Sequence, residues 1–349
     1  MNIFNKIIRK FEKKIFTQNP RPLFKRNKIF TEKKKFLINK KFYVNNYSFG
    51  NLNPDKTFYI IRRYPGAGIF SNLTYVLNHL KVAKENNFIP FIDMEEYPTI
   101  YNEKNKIQDT FNAWEYYFEN TTEFTIDEIY NSKNVIITEN EFYNFFSKWI
   151  DQDESLIKIL KEDIKFKKNI YNTYNFIKKK IFKNKKILGV HFRGTSYKSS
   201  PGHPLPATKK QVFNLVNQVL KTKKIDYIFL STEEKNYQKF FSNKFKEKTI
   251  FFKSSYRSNK NDAFKIYPRR HHRYKLGREI LIESLLLSSS DYFIFTDSNV
   301  SSFVNALNIN LNKKIYKIDN GYNSLNKFVC IWLWYYKSLV PEFMRGFKK

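Results

Sequence analysis

The chain has 349 residues, 42% of them hydrophobic, which exceeds the usual single domain and points to two. Its 63 Lys and Arg stand against 32 Asp and Glu, a net charge of +31, so the partners to weigh are nucleic acid, an anionic membrane surface and a phosphate-bearing substrate. The single cysteine, Cys330, excludes an internal disulfide and a cysteine-built metal site, and no run approaches the roughly twenty apolar residues that span a bilayer.

Charge is concentrated at the start. Residues 1–42 hold fourteen Lys and Arg against Glu12 and Glu32. Within them Ile3, Phe4, Ile7, Ile8, Phe11, Ile15 and Phe16 recur at roughly helical spacing between basic residues, as in a helix lying in a membrane interface. The competing reading is a solvated basic arm or a helix packed on the body. The apolar residues are broken by charge, so no signal peptide is read there. The expected setting is cytoplasmic, peripheral at the inner membrane face.

Thr57–Arg62 reads as a buried strand, followed by a turn at Gly66-Ala67-Gly68 and a helix that Ser71 would cap, running to about Asn86 with Leu73, Val76, Leu77 and Leu80 inward. Phe88–Asp93 and Asn134–Thr138 are further strands, and residues 151–182 read as helical. A second series begins with a strand at Ile187–His191. Thr208 caps a helix to Thr222; Asp226–Leu230 is a strand, Glu233–Phe245 a helix and Thr249–Phe252 a strand. After an Arg- and His-rich loop, Arg278–Ser289 is a helix, Asp291–Phe295 a strand, Ser301–Leu307 a helix that Ser301 would cap, and Lys314–Ile318 a strand. Strand–helix alternation of this kind predicts an α/β fold with mostly parallel sheets.

Ligands of such sheets bind beyond the carboxyl ends of the strands. Polar residues recur there: His191 and Arg193, then Ser231-Thr232-Glu233-Glu234, then Thr296-Asp297-Ser298-Asn299. Arg193 suits phosphate, since a guanidinium gives two parallel hydrogen bonds and keeps its charge, and Gly194 beside it allows close approach. A structural ion pair is the plainer alternative. Ser301-Ser302-Phe303 opens a helix, where backbone N–H groups and hydroxyls favour an anion; ordinary capping is compatible with that role. The glycine turn before Asn72 lacks both the third glycine of a dinucleotide fingerprint and the lysine of a Walker loop.

His191-Phe-Arg-Gly-Thr195 resembles a motif of the fucosyltransferase superfamily that includes the α1,6-, α1,2- and protein O-fucosyltransferases. Asp291 to Phe303 resembles the late motif of that superfamily, and Gly66 to Asn72 its early glycine–Asn loop. The order and spacing agree across about residues 58–320. The resemblance implies a GT-B-like fold of two Rossmann-like lobes facing a central cleft, and inverting, metal-independent sugar transfer. It implies no cofactor beyond a nucleotide-sugar donor, GDP-linked, and a role in bacterial surface-polysaccharide synthesis. Residues 1–50 would be the basic arm, 51–183 the acceptor-side lobe, 184–320 the nucleotide-sugar-binding lobe and 321–349 a helical tail.

Carried over by position, Arg193 would bind the donor β-phosphate, with Gly194 and Thr195 beside it. Asp297, Ser298, Ser301 and Ser302 would surround the phosphates, and Glu283 and Phe303 would lie near the base. His191 and Asn72 would sit near the transferred sugar. Gly66, Gly68, Ser71 and His203 would contribute to the donor and acceptor loops. Two departures stand out: Ser196 and Glu283 occupy positions where many members carry Asp. Glu95, with Asp93 and Glu96, is the first candidate for general base; Glu233 and Glu234 follow. The acceptor would be a glycan or lipid-linked glycan, and an anionic membrane would be met through residues 1–42. Transfer of a different group on the same fold is the alternative. A nucleic-acid-binding protein is less favoured, because no helix-turn-helix, RNA-recognition or zinc signature is present. The aromatic run Ile331–Tyr336 is expected to pack between the lobes rather than meet lipid.

Overall fold

The computed structural model describes residues 32–38, 42–63, 67–95, 99–138, 149–260 and 262–348. The basic helix expected over residues 3–16, with Gly66 and Glu96, lies outside them, as does the side chain of Thr195. The α/β class expected from the sequence holds. The chain divides into two compact units, Met1–Lys168 with Arg269–Gly277, and Asn169–Pro268 with Arg278–Lys349.

The first unit carries a five-stranded sheet in the order β1-β2-β5-β3-β4: β1 Glu32–Ile38, β2 Phe42–Ser48, β3 Leu52–Ile61, β4 Ile89–Ile92 and β5 Ser132–Ile137. β4 and β5 flank β3 and run parallel to it, whereas β1 and β2 extend the sheet antiparallel. The buried run Phe58–Ile61 explains why β3 is central: both its faces are covered. The helix Ile69–Glu85 joins β3 to β4 and buries Leu73, Val76, Leu77, Leu80 and Ala83, as its 3.6-residue periodicity requires. It starts two residues before Ser71, which does not cap it. Gly68 is the N-cap, with no side-chain cap bond.

Thr99 to Phe124 carried no predicted element, and two asparagines order it. The Asn102 amide donates to the carbonyls of Met94 (2.6 Å) and Phe111 (3.1 Å), and that of Asn112 donates to Ile92 (2.7 Å). These bonds satisfy loop backbone around buried Trp114, Tyr116, Tyr117 and Phe118. The single helix expected over residues 151–182 is broken. Asp153 caps Glu154–Glu162 through the N–H groups of Ser155 and Leu156, and a second helix runs Lys168–Ile177. Between them Lys165 and Phe166 pair with the backbone at Phe118 and Glu119, and that competing pairing ends the first helix.

The second unit's five strands are all parallel, in the order β10-β9-β6-β7-β8: β6 Ile187–His191, β7 Tyr227–Ser231, β8 Thr249–Ile250, β9 Tyr292–Phe295 and β10 Lys314–Lys317. The first strand in sequence is the middle one in space. Its interior, Leu188 and Val190, packs with Val212, Val216, Ile228, Leu230, Phe241 and Ile294. The helix Lys209–Thr222 starts where expected, with Thr208 and Gln211 forming a reciprocal capping box. The helix His272–Ser288 starts six residues before Arg278, inside the segment read as loop. At Asn299–Leu307 the cap is Ser298; Ser301 is its partner three residues on, rather than the cap itself.

Candidate functional site

In the second unit the chain leaves β6 towards β7 and β8 on one side, then returns to β9 and β10 on the other. The loops after β6 and β9 therefore diverge at their carboxyl ends, and that is where open α/β sheets form a ligand crevice. His191 ends β6 and Phe295 ends β9. Arg193 and Thr296–Asn299 thus arise on neighbouring strands, at one edge.

The loop after β6 is held rigidly. Phe192 stacks on Tyr237 with ring centres 3.8 Å apart. The Gly194 N–H donates to a Glu233 carboxylate oxygen at 3.0 Å. A β-carbon on Gly194 would lie 2.0 Å from a Glu234 carboxylate oxygen and 2.8 Å from Tyr237. That carboxylate is itself tied to Lys198 at 2.7 Å, so it has little freedom to give way. Only glycine fits here.

The Arg193 guanidinium carbon lies 4.1 Å from the centre of the Tyr197 ring. Tyr197 is backed in turn by His203, whose ring stands edge-on at 4.8 Å. His203 thus supports the residue that supports Arg193. Burial pushes the Glu233 carboxyl up, but Arg193, the Gly194 N–H and His191 outweigh it and hold Glu233 below its usual range. His191 is 4% exposed, and among the described residues its Nδ1 has no hydrogen-bond partner. Burial, with Arg193 adding to it and Glu233 opposing it, lowers its pKa to about 4. The ring is therefore neutral near pH 7 and keeps an unused polar atom beside the arginine.

On the β9 side, Ser298 and Ser301 satisfy one another. The Ser301 N–H donates to the Ser298 hydroxyl at 3.1 Å, and the Ser298 N–H donates to the Ser301 hydroxyl at 2.9 Å. The Ser301 hydroxyl also donates to the Thr296 carbonyl at 3.1 Å. These contacts rank Ser301 as a cap component first. The helix it opens still presents the positive end of its dipole at the crevice. Asp297 is ion-paired with Lys317 at 2.6 Å. Ser302 is buried, and Phe303, with no exposed surface, is a core residue rather than a platform for a base. Glu283 is also internal. Its two oxygens accept from Ser231 and Ser255, both at 2.6 Å, and Arg257 pairs with it at 3.0 Å. Burial raises its pKa, against Arg257 and the two hydroxyls. It pins the loop Ser254–Ser258 to the helix His272–Ser288, and Tyr256 donates similarly to Glu279 at 3.0 Å.

In the first unit the corresponding switch point lies between β3 and β5, and most of its predicted residues are engaged locally. The Asn72 side chain accepts from the Ala67 N–H at 3.0 Å and donates to the Ala67 carbonyl at 3.1 Å, so it clamps the glycine turn. Asp93 is fully buried and pairs with Arg62 at 2.9 Å. Its other oxygen accepts the Glu95 N–H at 3.1 Å. Arg63 donates to the Ser71 carbonyl and lies 5.3 Å from the Tyr75 ring centre. His79, buried, shares a 2.9 Å hydrogen bond with the Tyr59 hydroxyl, and burial together with Arg63 lowers its pKa to about 3. Glu95 is half-buried. Among the described residues no group of three or more His, Cys, Asp or Glu is placed to hold a metal ion.

Sequence reasoning passed over Tyr197 and Lys198, which follow the motif by one helical turn and lock its arginine and its glycine. Their signal was spacing: residues at i+4 and i+5 of Arg193 fold back because Thr195–Lys198 is a 3₁₀ turn.

No family model matches the chain, and no curated protein matches it either. Solved structures do. The NodZ α-1,6-fucosyltransferase co-crystallised with GDP is 15% identical, covers 76% of this chain and 96% of its own, and has a TM-score of 0.47. POFUT1 in complex with GDP is 10% identical with a TM-score of 0.36, covering 76% of each chain. A variant of Arabidopsis thaliana FUT1 in complex with GDP is 7% identical with a TM-score of 0.40, covering 76% of this chain and 71% of its own. At such scores these likenesses assign no residue and no reaction here.

Proposed function

We propose that this protein is a fucosyltransferase-like glycosyltransferase, inverting and metal-independent. It would move fucose or a related deoxy sugar from a GDP-linked donor to a glycan or lipid-linked glycan acceptor in capsule or lipopolysaccharide synthesis. The observation that carries the reading is the pairing of β6 with β9. Two segments that resemble motifs of one superfamily, far apart in sequence, emerge side by side at the switch point of a parallel sheet. Arg193 stands on one of them, and a helix N-terminus on the other.

An acceptor hydroxyl attacks the anomeric carbon from the face opposite the nucleotide, and the bond to the diphosphate breaks with inversion. Negative charge grows on the leaving diphosphate. Arg193 meets it with two parallel donors, its plane set by Tyr197, and the backbone N–H groups at Asn299 and Val300 add the helix dipole. Gly194 lets the loop close against Glu234 and Tyr237, which fixes where Arg193 leaves it, and the neutral His191 offers a hydrogen-bonding nitrogen rather than a charge. Glu95 is the proton acceptor, and Asn72 acts through the turn it clamps.

The test is a screen of donor hydrolysis and transfer across GDP-, UDP- and CMP-sugars, beside a thermal-shift panel. Turnover of a GDP-sugar and stabilisation by GDP, with none by oligonucleotides, is expected. Turnover should persist in excess chelator. Stabilisation by oligonucleotide alone, or strict dependence on a divalent ion, contradicts the reading.

A further inference from the structure

Of the run Ile331–Tyr336 on the helix Val329–Leu339, expected to pack, Trp334 does so while Ile331, Trp332, Tyr335 and Tyr336 are exposed. Only Cys330 is fully buried along the helix. The inner face is anchored on the second unit: the Trp334 indole N–H donates to the Pro206 carbonyl at 2.8 Å, and the Cys330 thiol meets the Ser199 carbonyl at 3.2 Å. The outer face is apolar and open. Phe328 is 83% exposed, Trp332 70% and Leu339 76%, with Tyr336 between them. Phe328, Trp332, Tyr336 and Leu339 stand at i, i+4, i+8 and i+11 and form one stripe, and the exposed Phe343 and Met344 follow on the short turn Glu342–Met344 after the helix. Isolated exposed apolar residues need no explanation, but a contiguous stripe does.

Beneath this helix lies a cavity of about 440 Å³, bordered by Lys198, Lys209, Lys210 and Lys348, with Trp334 and Tyr237 among its walls. Glu234 is its one carboxylate and is paired with Lys198. Thr208, which caps the helix Lys209–Thr222, adds a helix N-terminus to the same space. Trp334 and Ser338 line this cavity from the inner face of the helix whose outer face is the apolar stripe.

We infer that this region of the second unit docks on an anionic phospholipid surface. Phe328, Trp332, Leu339 and Phe343 enter the interface, and the lysine-lined cavity takes phosphate headgroups. Charge selects this occupant. From Leu325 to Lys348 the chain carries Lys327, Lys337, Arg345 and Lys348 against Glu342 alone, within a molecule of net charge +31. A second copy would bring like charge against like. An anionic bilayer supplies both the apolar layer and the counter-charge, and aromatic residues with a basic rim suit the headgroup boundary. The inference does not depend on which donor the enzyme uses.

The test uses the full chain with vesicles of phosphatidylcholine alone and of phosphatidylcholine mixed with phosphatidylglycerol. Flotation with the anionic vesicles only, weakened by salt, is expected. The triple variant Phe328→Ser, Trp332→Ser, Phe343→Ser changes exposed residues, so its melting should match the parent while its partitioning falls at least about tenfold. Lys209→Ala with Lys210→Ala should cost about fivefold per lysine on anionic vesicles. Phe4→Ser with Phe11→Ser, in the basic arm, should leave most of the binding. The inference fails if the triple variant floats like the parent, if the arm variant alone abolishes flotation, or if the parent ignores anionic vesicles. It fails equally if the triple substitution converts a dimer into a monomer without changing flotation.

Discussion

The two units share a motif and use it differently. Each has a central strand flanked by parallel neighbours and a polar rim at the strand ends. In the first unit that rim is largely engaged with itself: Arg62 with Asp93, Asn72 with Ala67, and His79 with Tyr59. In the second, Arg193 lies against Tyr197, Gly194 is packed against Glu234 and Tyr237 with its N–H taken by Glu233, and among the described residues the His191 Nδ1 has no partner. Polar residues at strand ends are therefore no guide to a binding site on their own. What distinguishes the two rims is what holds each arginine: a buried carboxylate holds Arg62 in the first, and an aromatic ring faces Arg193 at the switch point of the second.

The largest expected effect lies on the self-satisfied rim. Asp93→Ala leaves Arg62 buried without its carboxylate and should destabilise the protein by about 3–5 kcal/mol in urea unfolding, because an uncompensated charge remains inside. A loss below about 1 kcal/mol would mean the pair is not the clamp described here. Arg193→Ala is the counterpart on the other rim. It should raise the barrier to GDP-sugar turnover by roughly 2.7–4 kcal/mol while shifting the thermal midpoint far less. Equal losses of folding and turnover would make Arg193 structural and erase the contrast.

Glycines give a smaller comparison. Gly194→Ala places a methyl against Glu234 and Tyr237 and should cost about 1–3 kcal/mol of stability. Gly68→Ala, where among the described residues nothing lies within 4 Å of the added carbon, should cost only the N-cap preference of glycine over alanine, about 0.5–1 kcal/mol. Paired urea midpoints decide it.

A last comparison concerns pH. His79 and His191 have folded pKa values lowered to about 3 and about 4, below the unfolded value of roughly 6.5. A depressed histidine binds its proton more readily when unfolded. Its stabilising contribution is therefore complete above about pH 6.5 and is lost as pH falls towards the folded pKa, at up to about 1.4 kcal/mol per pH unit for each ring. Replacing His79 by Gln should remove about one proton's share of the slope between pH 6.5 and 4.5. An unchanged slope would show that His79 does not titrate on unfolding.

Much of the fold was legible in the sequence. The apolar runs of β3, β6 and β9 and the 3.6-residue pattern after Gly68 mark strands and helix because burial demands those periods. The capping box at Thr208 was readable because its chemistry is local. The failures have local causes too. The sequence offers Ser71 and Ser301 as caps, whereas Gly68 and Ser298 hold those positions, since several residues in each stretch satisfy the same preference. The long helix over residues 151–182 broke because Phe166 found a distant partner in Phe118, a contact no periodicity encodes.

For the candidate site, the residue types of Arg193, Gly194 and the serine-capped helix were set by the sequence alone, because guanidinium, missing side chain and hydroxyl are chemical identities. Tertiary structure decided how each is used. The order β10-β9-β6-β7-β8 brings the loops after β6 and β9 together, since parallel strands place their carboxyl ends on one edge. Packing made Phe303 core, internalised Glu283, and left the outward face of Val329–Leu339 uncovered. Burial depends on which surfaces meet, and a linear pattern of apolar residues carries no record of that.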